Sequence, residues 1–315
     1  MGSVLRIGIV TPAFNAAATL GDTIRSVIVQ THDDWRMIVV DDGSCDATLA
    51  AAAKLPDARL TIISQAHQGV SAARNRGIGS VRADAYLFLD ADDQLAPDAL
   101  AVLAATLDDC PWAGAAVGAY RFTRGSGPAR RTRAPVGGNL VEALLRRNRF
   151  VNGGHVLIRS EAIEAAGGFN PALTYGEDWE FWVRIALTGE FAATRRQHPL
   201  LHVRQRPDGA YARLAADPGS FQPCMRTIFC NPALKERLGS GRTALLQRAA
   251  EAENAWVVGR EMIRHGHAQR GVGWLVRSVR LWPTVRRLVL LAAVPLVLQL
   301  PQPLRGALRS YAQAA

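Results

Sequence analysis

Three carboxylates fall within four positions of the stretch Tyr86-Leu87-Phe88-Leu89-Asp90-Ala91-Asp92-Asp93. Acids this close repel one another unless a cation neutralises them. The spacing from Asp90 to Asp92 suits a hard divalent ion, Mg²⁺ or Mn²⁺, which uses one or two carboxylates and completes its shell with water and phosphate oxygens. The alternative is a solvated strand end, with Asp93 opening a loop and Pro97 starting a helix. Two other polar clusters also follow short apolar runs: Thr11-Pro12-Ala13-Phe14-Asn15 and Asp41-Asp42-Gly43-Ser44. Further on, Gly176-Glu177-Asp178-Trp179 puts two acids in the first turn of a helix, where acids also stabilise the helix dipole.

The elements that must position these clusters alternate. Apolar runs predict strands at Leu5 to Val10, Met37 to Val40, Leu60 to Ile63 and Ala85 to Leu89. Apolar residues at helical spacing, such as Leu20, Ile24, Val27 and Ile28, predict helices over 17–30, 47–55 and 70–80 between them. Strand and helix in turn, with intervals of a few tens of residues, imply βαβ units and a parallel sheet. Right-handed crossovers bring all the strands' C-terminal ends to one edge. Thr11 to Asn15, Asp41-Asp42 and Asp90 to Asp92 are therefore expected to meet in one crevice, where open α/β sheets bind ligands. A helix from Pro97, a strand over 114–122, an Arg-, Gly- and Pro-rich loop over 123–138, Asn152-Gly153-Gly154-His155 before a short strand, and a strand over 200–206 complete this part.

The 315 residues can form one large domain or two. Hydrophobic residues make up 49% and charged ones 20%, an ordinary globular balance. The net charge is +10 and rests on arginine, since the only lysines are Lys54 and Lys235. Cys45, Cys110, Cys224 and Cys230 form no Cys-x-x-Cys pair, which argues against zinc and fits a reducing compartment. The apolar run after Arg6 is too short for a signal-peptide core. Leu288 to Leu300, broken by Pro295, is too short to span a bilayer. These features imply a cytoplasmic chain.

Beyond about Pro218 the pattern turns helical and basic. A tail that mixes arginine with Trp282 and runs of leucine suits an interfacial membrane segment. The alternative is a docked helical subdomain with a solvated arginine face. Nucleic acid is disfavoured, because aromatic residues are not interleaved with the charges and no binding module is recognisable.

Taken in order, Thr11 to Asn15, Asp41 to Ser44, Ala73-Arg74-Asn75, Asp90 to Asp93 and Gly176 to Trp179 resemble the family-2 glycosyltransferases of the GT-A fold. The resemblance covers about residues 5–206. It implies a Rossmann-like, mostly parallel sheet flanked by helices, with a catalytic domain over 1–216 and a helical, Arg-rich extension over 217–315. It implies an inverting, metal-dependent transfer of a sugar from a nucleotide-sugar donor to a glycan or lipid-linked acceptor, in cell-envelope or extracellular glycan synthesis. The chain would then sit peripherally on the inner face of the membrane. The rival function is a non-catalytic sugar-nucleotide-binding or scaffold subunit of a glycan-assembly complex.

The resemblance also implies residue roles. Thr11, Pro12 and Phe14 line the nucleotide pocket, with Asp42 accepting from the base and Asp41 beside it. Arg74 faces phosphate or forms a structural ion pair. Asp90 and its neighbour Ala91 lie at the ribose or metal, and Asp92 is the direct metal ligand. Asp178 is the catalytic base. Gly153, Gly154 and His155 flank the donor sugar, and Glu177 and Trp179 shape the acceptor site. One departure is visible. Relatives often carry Arg-x-His after this helix, whereas Arg204-Gln205-Arg206 stands here. His202 then becomes the candidate third metal ligand, and Arg204 and Arg206 the candidates for pyrophosphate.

Overall fold

The computed structural model describes residues 5–123, 132–196, 198–204 and 216–299, with side chains to Ala293. Contacts divide the chain into two units, Met1–Leu144 with Asn148–Gln205, and Leu145–Arg147 with Arg206–Ala315. Arg206, the tip of the arginine-rich loop (124–131) and the tail from residue 300 lie outside the described residues.

The first unit opens with β1 (Ile7–Ala13), α1 (Leu20–Ile28), β2 (Trp35–Asp41), α2 (Thr48–Ala53), β3 (Leu60–Ser64), α3 (Val70–Gly79) and β4 (Ala85–Phe88). It continues through β5 (Gln94–Leu95), α4 (Ala99–Asp109), β6 (Ala113–Val117), β7 (Ala119–Thr123), α5 (Val141–Arg146), β8 (Val156–Arg159) and α6 (Ser160–Ala166). It closes with α7 (Glu177–Thr188), β9 (Glu190–Ala193) and β10 (Pro199–Arg204). The main sheet has seven strands in the order β3-β2-β1-β4-β8-β6-β9, and a smaller one is ordered β5-β10-β7.

The expected βαβ units form, with β1 parallel to both β2 and β4, and β2 parallel to β3. β8 departs from them by running antiparallel to both β4 and β6. Its reversal brings the start of β8, and so Asn152 to His155, to the edge where β1, β2 and β4 end.

Side chains of β4 alternate between two cores, as strand pleating requires. Leu87 and Leu89 join Leu20, Ile24, Val27, Leu100 and Leu103 from α1 and α4. Phe88 faces the other way, onto Phe169 and Phe181 at 4.9 and 5.9 Å between ring centroids. On β1, Val10 presses so closely on α3 that a Cβ at Gly77 would lie 2.3 Å from its Cγ1. Pro12 sits in β1 without disturbing the sheet. Its neighbours Val10 and Ala13 accept from Leu89 and Asp42 respectively, so the missing N–H of Pro12 points past the end of β4.

The strand expected over 114–122 is two strands. A Cβ at Gly118 would lie 2.6 Å from Leu200 Cδ1. The chain turns at this glycine from the large sheet into the small one.

The second unit contains α8 (Gln222–Phe229), α9 (Pro232–Leu238), α10 (Ser240–Arg264), α11 (Ala268–Leu281) and α12 (Val285–Gln299). Asn231 caps α9 by accepting from the Ala233 N–H at 3.0 Å. The α10 and α11 backbones meet where Gly259 faces Gly271, and added Cβ atoms there would come within 2.8 and 2.7 Å of the opposite carbonyls. Ser278 Oγ donates to the Ala252 carbonyl at 2.6 Å and ties the same pair of helices.

Candidate active site

At the end of β1 the chain turns through Asn15, the one non-glycine residue with positive φ among those described, at 49°. Its N–H donates to Ser44 Oγ at 2.9 Å, and its Oδ1 accepts from the Cys45 N–H at 3.0 Å. The loops after β1 and β2 are thereby stitched together. The Asp46 carboxylate accepts from the Thr48 N–H and hydroxyl and, at 3.1 Å, from the Ala17 N–H, so it serves the starts of two helices. Phe14 stands out from this loop, 48% exposed, with its ring 4.3 Å from that of His67. Thr11, Pro12 and Ala13, by contrast, are buried in β1. The side chain of Thr11 belongs to the interior and does not line an open pocket.

The two acids ending β2 differ. Asp42 Oδ1 accepts from Gln65 Nε2 at 2.7 Å and from the Gln68 N–H at 2.9 Å. Its Oδ2 accepts from the Gly69 N–H at 2.8 Å and lies 2.9 Å from His67 Nδ1. Three hydrogen bonds reach the Asp42 carboxylate, and His67 Nδ1 also bonds its backbone carbonyl at 3.0 Å, so Asp42 organises the loop that leads into α3. Asp41 is equally buried, and its Oδ1 has no hydrogen-bond partner within the protein.

Arg74 links two more clusters. Its guanidinium is buried on α3, 3.0 Å from Asp90 Oδ1 and 3.2 Å from Glu177 Oε1. One side chain thus ties the end of β4 to the first turn of α7. This geometry realises the structural alternative for Arg74 rather than a phosphate contact. Asn75, next in the chain, exchanges two hydrogen bonds with the Phe169 backbone, at 2.7 and 2.8 Å.

Gly176, with φ 74°, turns the chain into α7. Asp178 follows, accepting from Asn148 Nδ2 at 2.9 Å and from the Trp179 N–H at 2.7 Å. Burial raises the Asp178 carboxyl to about 7, the Glu177 charge adds to this, and Arg74 opposes it. A carboxyl poised there can take a proton near neutral pH. Trp179 does not shape an acceptor surface. It is buried, and its indole donates to the Leu144 carbonyl at 2.7 Å. Trp182 and Phe181 are core residues too.

Around the start of β8, packing explains residues expected to face the sugar. A Cβ on Gly153 would lie 2.6 Å from Phe88 Cβ, and one on Gly154 would lie 2.8 Å from Leu201 Cδ1. His155 is buried against Tyr120 and Phe150, with Nδ1 3.0 Å from the Gly118 carbonyl, and burial lowers its pKa to about 4. It is a neutral core histidine that braces the Gly118 turn.

Asp93, read as a loop opener, is a buried clasp. It accepts from Asn152 Nδ2 and, at 2.9 Å, from the Arg204 N–H. Burial pushes its carboxyl well up, and Asp90 and Asp92 push it further. The third acid of the run and the Asn before Gly153 were visible in the sequence, but their pairing was not. Asn148 gave no signal at all.

Whether these residues fit a divalent ion depends on the donor set. Asp90 is part-exposed and Asp92 half-buried, with the buried Ala91 between them. Two such carboxylates fit an ion that brings phosphate and water ligands with it. Among the described residues no group of three or more His, Cys, Asp or Glu side chains could hold a metal. His202 does not join the acids. On β10 it faces Gln94 and Arg121, and its Nδ1 accepts from Arg121 Nε at 3.0 Å. The half-exposed Arg204 side chain reaches Asp22 at 3.4 Å.

The acid cluster lies at the edge of a mostly parallel α/β sheet, and comparison with known proteins narrows the class. The Glycosyl transferase family 2 pattern matches residues 8–167. The chain belongs to this family. It is 40% identical over 92 residues to the succinoglycan biosynthesis protein ExoO of Rhizobium meliloti, a match covering 29% of this chain and 26% of that protein. The chain thus spans well under half the length of this relative. TarS of S. aureus, solved with UDP-GlcNAc, superposes with a TM-score of 0.57 at 14% identity, covering 89% of this chain and 90% of that one. The mannosyltransferase PcManGT of Pyrobaculum calidifontis, solved with GDP-Man and Mn²⁺, gives 0.57 at 19% identity over 96% and 83%. The fold is GT-A.

Proposed function

We propose that this chain transfers a sugar from a nucleotide-sugar donor to an acceptor hydroxyl, with inversion at the anomeric carbon. The observation that carries the reading is Asp178. It is a carboxyl held near neutrality at the mouth of α7 and tied through Glu177 and Arg74 to Asp90. Asp178 accepts the proton of the attacking hydroxyl as the new glycosidic bond forms and the nucleoside diphosphate leaves. Asn148 and the Trp179 N–H hold its carboxylate in place. Phe14 and His67 offer a stacking face for the base, and the unpartnered Oδ1 of Asp41 accepts from an imide N–H of uracil, thymine or guanine. Asp92 and Asp90 would hold Mg²⁺ or Mn²⁺, whose positive charge would offset the negative charge of a nucleoside diphosphate. Arg204 lends further positive charge.

The succinoglycan relative's name supports an acceptor in envelope or extracellular glycan synthesis, and the basic C-terminal helices suit a glycan or lipid-linked saccharide presented at a membrane. The chain would work on its inner face.

The test is thermal stability against UDP, GDP, dTDP and CDP, each with and without Mn²⁺, since binding to the folded state raises Tm by mass action. A rise with one nucleotide, present only with metal and lost in Asp92→Ala, is expected and names the base. Failure of all four to raise Tm overturns the reading in favour of a scaffold subunit.

A further inference from the structure

Helix α12 is built inside out. Its Arg287 is buried, with Nη2 2.6 Å from Glu253 Oε2 and Nη1 donating to the Trp282 carbonyl at 3.0 Å. Its apolar residues face outward, with Val285 79%, Leu288 50% and Val289 61% exposed. With Ala292, also exposed, they fall at the three- and four-residue spacing that forms a single stripe. A helix on the surface of a water-soluble protein shows the reverse arrangement. Here an ion pair holds the arginine in and the leucine stripe out.

The surroundings say what covers the stripe. Residues 268–299 contain Arg270, Arg277, Arg280, Arg286 and Arg287 and no acid. All but Arg287 are exposed. Two copies joined through this face would bring two wholly basic surfaces together, with no acid on α11 or α12 to offset their repulsion. A lipid surface meets both features at once, taking the valine and leucine side chains at the acyl boundary and the guanidiniums at its phosphates. Fifteen residues make a helix of about 22 Å. No helix among the described residues is long and apolar enough to cross a membrane. Such a helix lies along the interface.

We propose that α12 is a bilayer-docking surface specific for anionic lipid, with the Arg287–Glu253 pair setting its roll so that the stripe faces the membrane. This deepens the reading of a membrane-presented acceptor and rests on it. The experiment is flotation of the full chain, without donor, on vesicles of phosphatidylcholine alone or mixed with phosphatidylglycerol, at low and high salt. Binding to the mixed vesicles that weakens with salt is expected. Leu288→Glu with Val289→Glu should reduce it about tenfold or more, and Arg286→Glu about fivefold. An unchanged Tm in these exposed-site variants checks their folding.

The surface is overturned if the wild type ignores anionic vesicles, or if the double variant binds them as the wild type does. It is also overturned if the wild type is a dimer in solution that the double variant turns into a monomer, since a second copy then owns the stripe. Metal-dependent hydrolysis of a nucleotide sugar, measured on the same samples without vesicles, reports the transferase reading independently. Its loss with flotation intact, or the reverse, shows which of the two has failed.

Discussion

Two aspartates at the sheet edge, Asp42 after β2 and Asp178 at the start of α7, have the same chemistry and opposite surroundings. The region around Asp42 supplies three donors to its carboxylate, all from the loop before α3 at Gln65, Gln68 and Gly69. The region around Asp178 supplies two donors and a neighbouring acid, Glu177, and leaves the carboxyl at about 7. Burial and the neighbouring Glu177 charge, together with fewer donors, set Asp178 apart from Asp42. Replacing either acid by its amide should therefore act with opposite sign at the two sites.

The largest effect is expected for Asp178→Asn. Transfer should fall about 10²–10⁴-fold, the usual worth of a general base, with donor affinity retained. The folded state holds the Asp178 proton more tightly than the unfolded chain, so wild-type stability declines as pH rises from the ordinary carboxylate value of 3.8 toward about 7. The amide lacks this charge, so the variant should melt higher than the wild type at pH 8. A near-normal rate would remove Asp178 from the mechanism.

Asp42→Asn should do the reverse. An amide nitrogen turned toward the Gly69 N–H leaves that part-buried donor unpaired, at about 1 kcal/mol. Denaturant unfolding should show that loss, with turnover per folded molecule little changed. If stability held and nucleotide affinity fell instead, Asp42 would be the base reader and the comparison would break.

The smallest change sharpens the contrast. Transfer should rise with pH through the Asp178 ionisation near 7. In Asn148→Ala, which loses a donor to the ionised carboxylate, the midpoint should move to higher pH. A pH–rate profile of the two proteins reads this directly, and an unmoved midpoint would confine Asn148 to a structural role.

Much of the framework was legible because it rests on local periodicity. The first four strands, the helices between them and the edge that gathers Thr11 to Asn15, Asp41-Asp42 and Asp90 to Asp92 follow from apolar spacing and crossover handedness, whereas Asp178 was placed only by the family resemblance. What escaped depends on groups distant in sequence. The loop held on Asp42 needs the Gln68 and Gly69 N–H groups some 25 residues later, and the Asp93 clasp needs Asn152 and Arg204. The reversal of β8 has no local marker. The sequence leaves Trp179 open between core and acceptor face and sets His155 beside the sugar, because an aromatic or imidazole near a motif does not declare its burial. His202 fell short for a similar reason, since only β10 pairing shows that Arg121 occupies its ring.

The contact between Gly77 and Val10 bears on how this chain tolerates mutation. Gly77 lies three residues beyond Arg74, inside a segment that looks chemical, yet no larger residue fits between helix and strand there. Gly118, Gly153 and Gly154 share that constraint. A library screened only for lost activity would mark these glycines as heavily as Asp178. Sorting the same library for folded, expressed protein would split them into two populations, one excluded by volume and one by charge.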